Sequence, residues 1–186
     1  MFCNGDVGFR PVEEKDLEKI RILRNDPSTW EMLGGIDHVT PDQQLSWYRG
    51  LQGAKDRAYY TAFINTVDPY DGLWSVEGDF LGVIRQTEID LQNRSCLIGL
   101  DIDPKMRGKG WGTKLYAALL KWLFEYRGFH RVVLLVLDTN EVGKKLYFNV
   151  GFKLEGKHRE AIFRNGRFVD YLAMSILENE YRERVA

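Results

Sequence analysis

The segment from residue 106 to 137 constrains the fold more than any other. It begins "MRGKGWGTK", with three glycines and three cations in nine positions, and runs directly into an apolar stretch with helical spacing. Along 113–126 the charged residues are Lys114, Lys121 and Glu125, seven and four apart, which places them on one narrow stripe and assigns the rest of the helix to the core. That helix is predicted to reach about Tyr126 and to end at Gly128. "RVVLLVL" (131–137) follows, an unbroken apolar run of the kind buried in parallel sheets. With "SCLIGLDI" (95–102) read as the strand before the glycines, the unit is strand, helix, strand: a crossover that needs a parallel pair.

The helix also fixes what the glycines can do. Its first N–H groups point out of its N-terminus and carry roughly half a positive charge, and the missing side chains at Gly108, Gly110 and Gly112 open that backbone to an anion. Arg107 and Lys109 add full charges beside it. The inference is a phosphate or pyrophosphate cradle. A Walker A loop fails, because Gly110 follows Gly108 and Lys109 where a hydroxyl residue is needed, and position 103 is Asp. A dinucleotide fingerprint fails at its third glycine, which here is Thr113.

The flanking elements come from local signals. "VGFRPV" (7–12) reads as a strand and 13–25 as a helix with Leu17, Ile20 and Leu23 on one side, stopped by Asp26-Pro27. Thr40, Pro41 and Gln43 form a capping box at the start of a second helix. Three stretches, 58–66, 79–89 and 95–102, read as consecutive antiparallel strands. Asn140 is the predicted N-cap of a helix carrying a Glu141/Lys145 pair and ending at Gly151, and 158–177 alternates around the hairpin turn Asn165-Gly166. The connection 67–79, with Tyr70 and Trp74, is a candidate lid. These readings give an α/β (α+β) chain: one domain over 1–186, with a mixed, mostly antiparallel sheet flanked by helices.

Composition narrows the function. Of 186 residues 26 are Lys or Arg and 27 Asp or Glu, so the formal net charge of −1 offers no general surface for nucleic acid or an acidic membrane. Cys3 and Cys96 are far apart, and His38, His130 and His158 are isolated, so neither a disulfide framework nor a metal site is expected. With no signal-like start or ~20-residue apolar span, the expected compartment is the cytoplasm.

The pattern Arg107-x-x-Gly110-x-Gly112, after "GLDIDP" and before "NEVGKKLYFNVGF" (140–152), resembles the GCN5-related N-acetyltransferases (GNAT). "ILRNDPSTW" and the elements before it look like the branch that includes ribosomal-protein N-terminal and spermidine acetyltransferases. The resemblance implies a GNAT fold whose parallel strands splay apart to take acetyl-CoA. Cofactor contacts are then expected at Ile102, Arg107, Gly108, Lys109, Gly110, Trp111, Gly112, Thr113 and Asn140, with the backbone N–H groups of 107–112 on the pyrophosphate and no metal. Tyr147 matches the family tyrosine that protonates the departing thiolate. The implied reaction is direct attack of a neutral amine on the thioester.

The carboxylates that serve as bases in many relatives fall at Leu97 and Leu135 here, so Asp101, Glu88, Glu160 or simple loss of the proton to solvent must replace them. Glu31, Asp37, Asp71 and Glu77, with Trp30, Trp47 and Trp74 as walls, are candidates for the acceptor side. A protein N-terminus, a polyamine or an amino sugar all remain open as acceptors. The rival class is a non-catalytic CoA or acyl-CoA sensor, and a third is a nucleotide-binding module. Phe148, beside Lys144 and Lys145, points to a subunit contact, hence a homodimer.

Overall fold

Two neighbouring strands that diverge organise the molecule. In the computed structural model, which describes residues 1–35, 38–67, 74–75 and 78–185, β7 (Ser95–Ile102) and β8 (Arg131–Leu137) run parallel. Their pairing covers only Ser95↔Arg131, Cys96↔Val132 and Leu97↔Val133, after which the strands separate. β7 stays paired on its other side with β6 (Phe80–Asp90), and β8 stays paired with β10 (Arg167–Leu177). The remaining strands of the sheet are β1 (Phe2–Asn4), β2 (Val7–Pro11), β3 (Ala58–Ile64) and β9 (Lys153–Arg164). Among the described residues eight strands form one sheet, ordered β1-β2-β3-β6-β7-β8-β10-β9, and every neighbouring pair except β7 and β8 is antiparallel. A separate short pair joins β4 (Thr66–Val67) to β5 (Trp74–Ser75). Residues 68–73 and 76–77 of the candidate lid, Tyr70 included, lie outside the described residues.

The period of two along β6 sends successive residues to opposite faces. Val83 packs with Leu17, Ile20 and Leu23 of α1 (Leu17–Asn25), and Leu45, Trp47 and Tyr48 of α3 (Pro41–Arg49) close that cluster. Ile84 joins the larger core with Leu115, Leu119 and Leu123, from α4 (Trp111–Lys121) and the single π-helical turn, Trp122–Tyr126, that extends it. The sequence reading foresaw one helix to Tyr126 and not the change of pitch. Gly128, at φ 66°, ends the segment as expected.

Several local expectations hold. Thr40 Oγ1 accepts from the Gln43 N–H at 3.3 Å while Gln43 Oε1 accepts from the Thr40 N–H at 2.9 Å, completing the capping box. Asn140 caps α5 (Glu141–Val150) by accepting from the Gly143 N–H at 2.8 Å, and Gly151 ends it at φ 106°. Asn165 and Gly166, both at positive φ, form the tight turn between β9 and β10. Others change. β1 has no counterpart in the sequence reading, and β9 starts at Lys153, before the alternating stretch. Asp26-Pro27 does not simply stop α1: Asp26 accepts from the Ser28 N–H at 2.9 Å and starts a short helix, α2 (Pro27–Trp30). Glu141 pairs with Lys144 at 2.8 Å instead of Lys145, because Lys144 also donates to the Asp138 carbonyl at 2.6 Å. The chain closes with α6 (Glu178–Val185).

One buried carboxylate fastens the N-terminal helices to the sheet. Asp16, 3% exposed, accepts two bonds from Arg10 at 2.7 and 3.0 Å, one from Thr61 at 2.8 Å and one from the Glu13 N–H at 2.9 Å. Burial by itself pushes this carboxyl up; the bonds from Arg10, Glu13 and Thr61 outweigh it and leave the group below its ordinary value. A native value below the unfolded one means the stabilisation is complete above about pH 4 and is lost as pH falls through the native value. Asp16→Asn is therefore expected to lower stability at pH 7 by about 2–4 kcal/mol and to flatten the acid side of the stability profile. Urea unfolding of both proteins at pH 7 and pH 3 measures this; equal losses at the two pH values would contradict it.

Candidate active site in the strand wedge

Where β7 and β8 part, a cavity of about 850 Å³ opens through the sheet. One end is the turn between β7 and α4. Gly108 and Gly110 stand at φ 72° and 81°, and a Cβ on either would meet nothing within 4 Å, so the turn uses glycine for left-handed backbone beside open space. Gly112 has a different task. A Cβ there would lie 3.1 Å from Leu146 Cδ2 and 3.5 Å from Ile102 Cδ1, so its bare backbone lets α4 approach α5. Helix α4 starts at Trp111, which leaves its first-turn N–H groups without helical acceptors beside the cavity.

Of the residues expected at a cofactor, Ile102, Arg107, Gly108, Gly110, Trp111, Gly112, Thr113 and Asn140 line this cavity, and so does Tyr147. Lys109 is not in the lining: its ammonium donates to the Lys105 carbonyl at 2.8 Å. Arg107 is largely committed. Its guanidinium bonds to the Ile102 carbonyl at 2.9 Å, to the Ser28 hydroxyl and carbonyl at 2.8 and 3.1 Å, and to the Thr29 hydroxyl at 2.5 Å. It offers the cradle its charge while its N–H groups hold α2 against the end of β7.

Tyr147 packs edge-on against Tyr116, ring centroids 5.4 Å apart at 74°, and against Phe152 at 6.2 Å. Burial pushes its phenol up, and the Tyr116 hydroxyl and the Arg85 charge pull the other way. Its helix neighbour Val142 is 84% exposed and lines the cavity.

Leu97 and Leu135 both line the cavity, so no carboxylate stands at either position. Asp101 reaches the wedge but is engaged: Arg85 Nη2 donates to it at 3.0 Å, Arg24 Nη1 lies 3.6 Å away, and its side chain is 4% exposed. Glu88 and Glu160 are exposed strand residues at φ 50° and 52° and do not line the cavity. Glu31 does line it, and among the described residues it is the lining carboxylate that makes no ion pair. Asp37, Asp71 and Glu77 lie outside the described residues. Trp30 and Trp47 are not walls of the cavity; Trp47 instead packs on Tyr59 at 4.9 Å. Cys96 is buried and its thiol is pushed up to about 12 by desolvation, which keeps it protonated and un-nucleophilic.

The sequence reading missed the wedge's charged floor. Arg85 lies flat across Gly99, whose Cβ would come within 2.6 Å of Nη2, and this places the guanidinium on Asp101. A glycine inside "SCLIGLDI" was the available signal, since glycine in a strand interior marks a close approach. Tyr171 on β10, in the cavity wall, gave no comparable signal.

Residues 6–153 match the acetyltransferase (GNAT) domain family. The chain belongs to that family. Among relatives of this GNAT protein, spermine/spermidine N(1)-acetyltransferase of Bacillus subtilis is 31% identical over 132 residues, covering 66% of this chain and 81% of that protein. Spermidine N(1)-acetyltransferase of Escherichia coli is 23% identical over 94% of this chain and 88% of its own length, so the likeness extends to the N-terminal helices. Spermidine N-acetyltransferase from Vibrio cholerae, solved with CoA and spermine, superposes with a TM-score of 0.86 at 24% identity, over 96% of this chain and 99% of that one. The GNAT fold expected from the sequence, with its splayed parallel pair, is the fold observed. No helix among the described residues is long and apolar enough to cross a membrane.

The Arg85 placement is open to a direct test. Gly99→Ala is expected to displace the guanidinium from Asp101 and to destabilise the protein by about 1–3 kcal/mol, less than a full buried-pair loss because Arg24 remains. A melting temperature within a degree of the parent would show that Arg85 holds Asp101 without needing the bare strand.

Proposed function

We propose that this chain is a single cytoplasmic domain that transfers the acetyl group of acetyl-CoA to a primary amine of a polyamine. The wedge between β7 and β8 carries this reading: its lining runs from the anion-accepting turn at Gly108 and Gly110 to Glu31, Tyr59 and Arg85, so a pantetheine arm and an amine can meet at one point. The CoA pyrophosphate sits on the first-turn N–H groups of α4, with Gly108 and Gly110 giving it room and Arg107 supplying charge. Gly112 and Ile102 form the packed floor beside the arm, Trp111 and Thr113 line its path, and Asn140 faces it from the start of α5. Lys109 contributes long-range charge only.

The amine attacks the thioester carbonyl, the C–S bond breaks, and Tyr147 gives its phenolic proton to the CoA sulfur, leaving acetylated amine and free CoA. With Leu97 and Leu135 apolar and Asp101 held by two arginines, the ammonium proton leaves to solvent. The polyamine assignment is supported by the relatives' substrates and by Glu31, an uncommitted anion at the mouth of the cavity. The exposed Phe148, 51% accessible on α5, supports self-association.

Acetyl-CoA at one hundred times its dissociation constant should stabilise the fold by ~2.7 kcal/mol, seen as a rise of roughly 5–10 °C in Tm. No shift at millimolar acetyl-CoA would remove the cofactor assignment. Free-CoA release across a panel of polyamines, peptide N-termini and amino sugars should be greatest with spermidine or spermine; binding without turnover on the whole panel would identify a sensor instead. Tyr147→Phe should lower kcat by about 10–100-fold with little change in acetyl-CoA affinity.

A further inference from the structure

The cavity wall that bears Glu31 is gripped at both ends by arginines. Ser28, Thr29, Glu31, Met32 and Leu33 all line the wedge, and the chain leaves this stretch through Gly34 and Gly35. Local backbone bonds support it as far as Leu33: the Met32 N–H donates to the Thr29 carbonyl at 3.0 Å and the Leu33 N–H to the Trp30 carbonyl at 3.1 Å. Two glycines in succession then leave the backbone free to take many courses. Arg107 holds the first end of the stretch through Ser28 and Thr29. The other end is held from the β9–β10 hairpin, where the Arg164 guanidinium donates through Nη2 to the Leu33 carbonyl.

Arg164 is placed for that contact and for little else. It is 8% exposed, although Phe163 beside it and Phe168 across the hairpin are 60% and 61% exposed. Taking a guanidinium out of water is costly. Its Nε is buried without a partner, and among the described residues the Leu33 carbonyl is the one acceptor that its guanidinium meets. The same hairpin backs the contact: a Cβ on Gly34 would lie 3.6 Å from the Tyr171 hydroxyl oxygen and 3.7 Å from Ile162 Cδ1. Tyr171 lines the cavity and Arg164 does not, so the arginine acts on the wall from behind. From this placement, and resting on the wedge as the site of polyamine acetylation, we propose that Arg164 is a positioning residue for the amine acceptor. By fixing the Leu33 carbonyl it completes, with Arg107, a clamp on the turn that presents the Glu31 carboxylate. A carboxylate held ready binds an ammonium more tightly than one that must be ordered at each encounter. Loss of Arg164 is therefore felt in acceptor binding. The cofactor turn at 107–112 and Tyr147 lie on α4 and α5, which this hydrogen bond does not touch.

Four proteins test this: parent, Arg164→Met, Glu31→Gln and the double variant, each assayed by CoA release with spermidine varied at saturating acetyl-CoA and then the reverse. Arg164→Met should raise the KM for spermidine about 5–20-fold, with the KM for acetyl-CoA within about twofold and kcat within about threefold of the parent. In the Glu31→Gln background the same substitution should move the spermidine KM by less than about twofold, since the carboxylate it positions is gone. Arg164→Lys keeps a charged donor without the planar fork and should show a smaller rise, about 2–5-fold; it provides the same readings if the methionine variant does not fold. A parental spermidine KM in the Arg164 variants, a parallel rise in KM for both substrates, or an equal rise with and without Glu31 would overturn the inference. Failure of the underlying reading looks different: the parent would release no CoA with spermidine, or Glu31→Gln alone would keep the parental spermidine KM.

Discussion

The structure depends on a pairing that stops. Three register pairs join β7 to β8, and beyond Leu97↔Val133 the facing edges carry backbone donors and acceptors with no strand to receive them. Leaving such groups unmade is costly wherever water is excluded, so a gap of this kind closes unless both strands are held apart. Here each strand is secured from outside. β6 follows β7 to Ile102 and β10 follows β8 to Leu137, so the full length of the wedge is braced by antiparallel ladders. α4 and α5 keep it open on one face, meeting closely because Gly112 has no side chain to obstruct Leu146.

The wedge joins two chemically different faces of the sheet. On the α1 face the alternate residues Leu97, Gly99 and Asp101 present an apolar wall, a bare strand and a carboxylate bound by Arg85 and Arg24. On the α4 face stand the aromatic rings of Tyr116, Tyr147 and Phe152. Neither face alone resembles a site for group transfer. The absence of β-ladder between them joins the two faces in one cavity.

What was legible in the sequence follows one rule: features set by neighbours within about four residues could be read, and features set across the sheet could not. The Thr40 capping box, the Asn140 cap and the Asn165-Gly166 turn are all local, and all stand where the residues put them. The splay itself came from resemblance, since nothing in "RVVLLVL" reveals where its pairing ends. Lys109 and Arg107 show the limit from the other side. Both were correctly placed beside the turn, but the partners that engage their donors, Lys105 O for one and Ser28 and Thr29 for the other, depend on three-dimensional proximity. Arg85 on Asp101 is a contact across two strands, visible beforehand only as a glycine in an unexpected place.

Arg107 has a consequence for how such proteins diversify. Its guanidinium spans 79 positions of chain to Ser28 and 78 to Thr29, tying α2 to the glycine turn that opens α4. An N-terminal third transplanted from a relative would orphan this arginine unless oxygen-bearing residues came with it at 28 and 29. Recombination between family members is thus constrained at a seam far from any domain boundary: the two halves of the enzyme are inherited together, or exchanged with that lock intact.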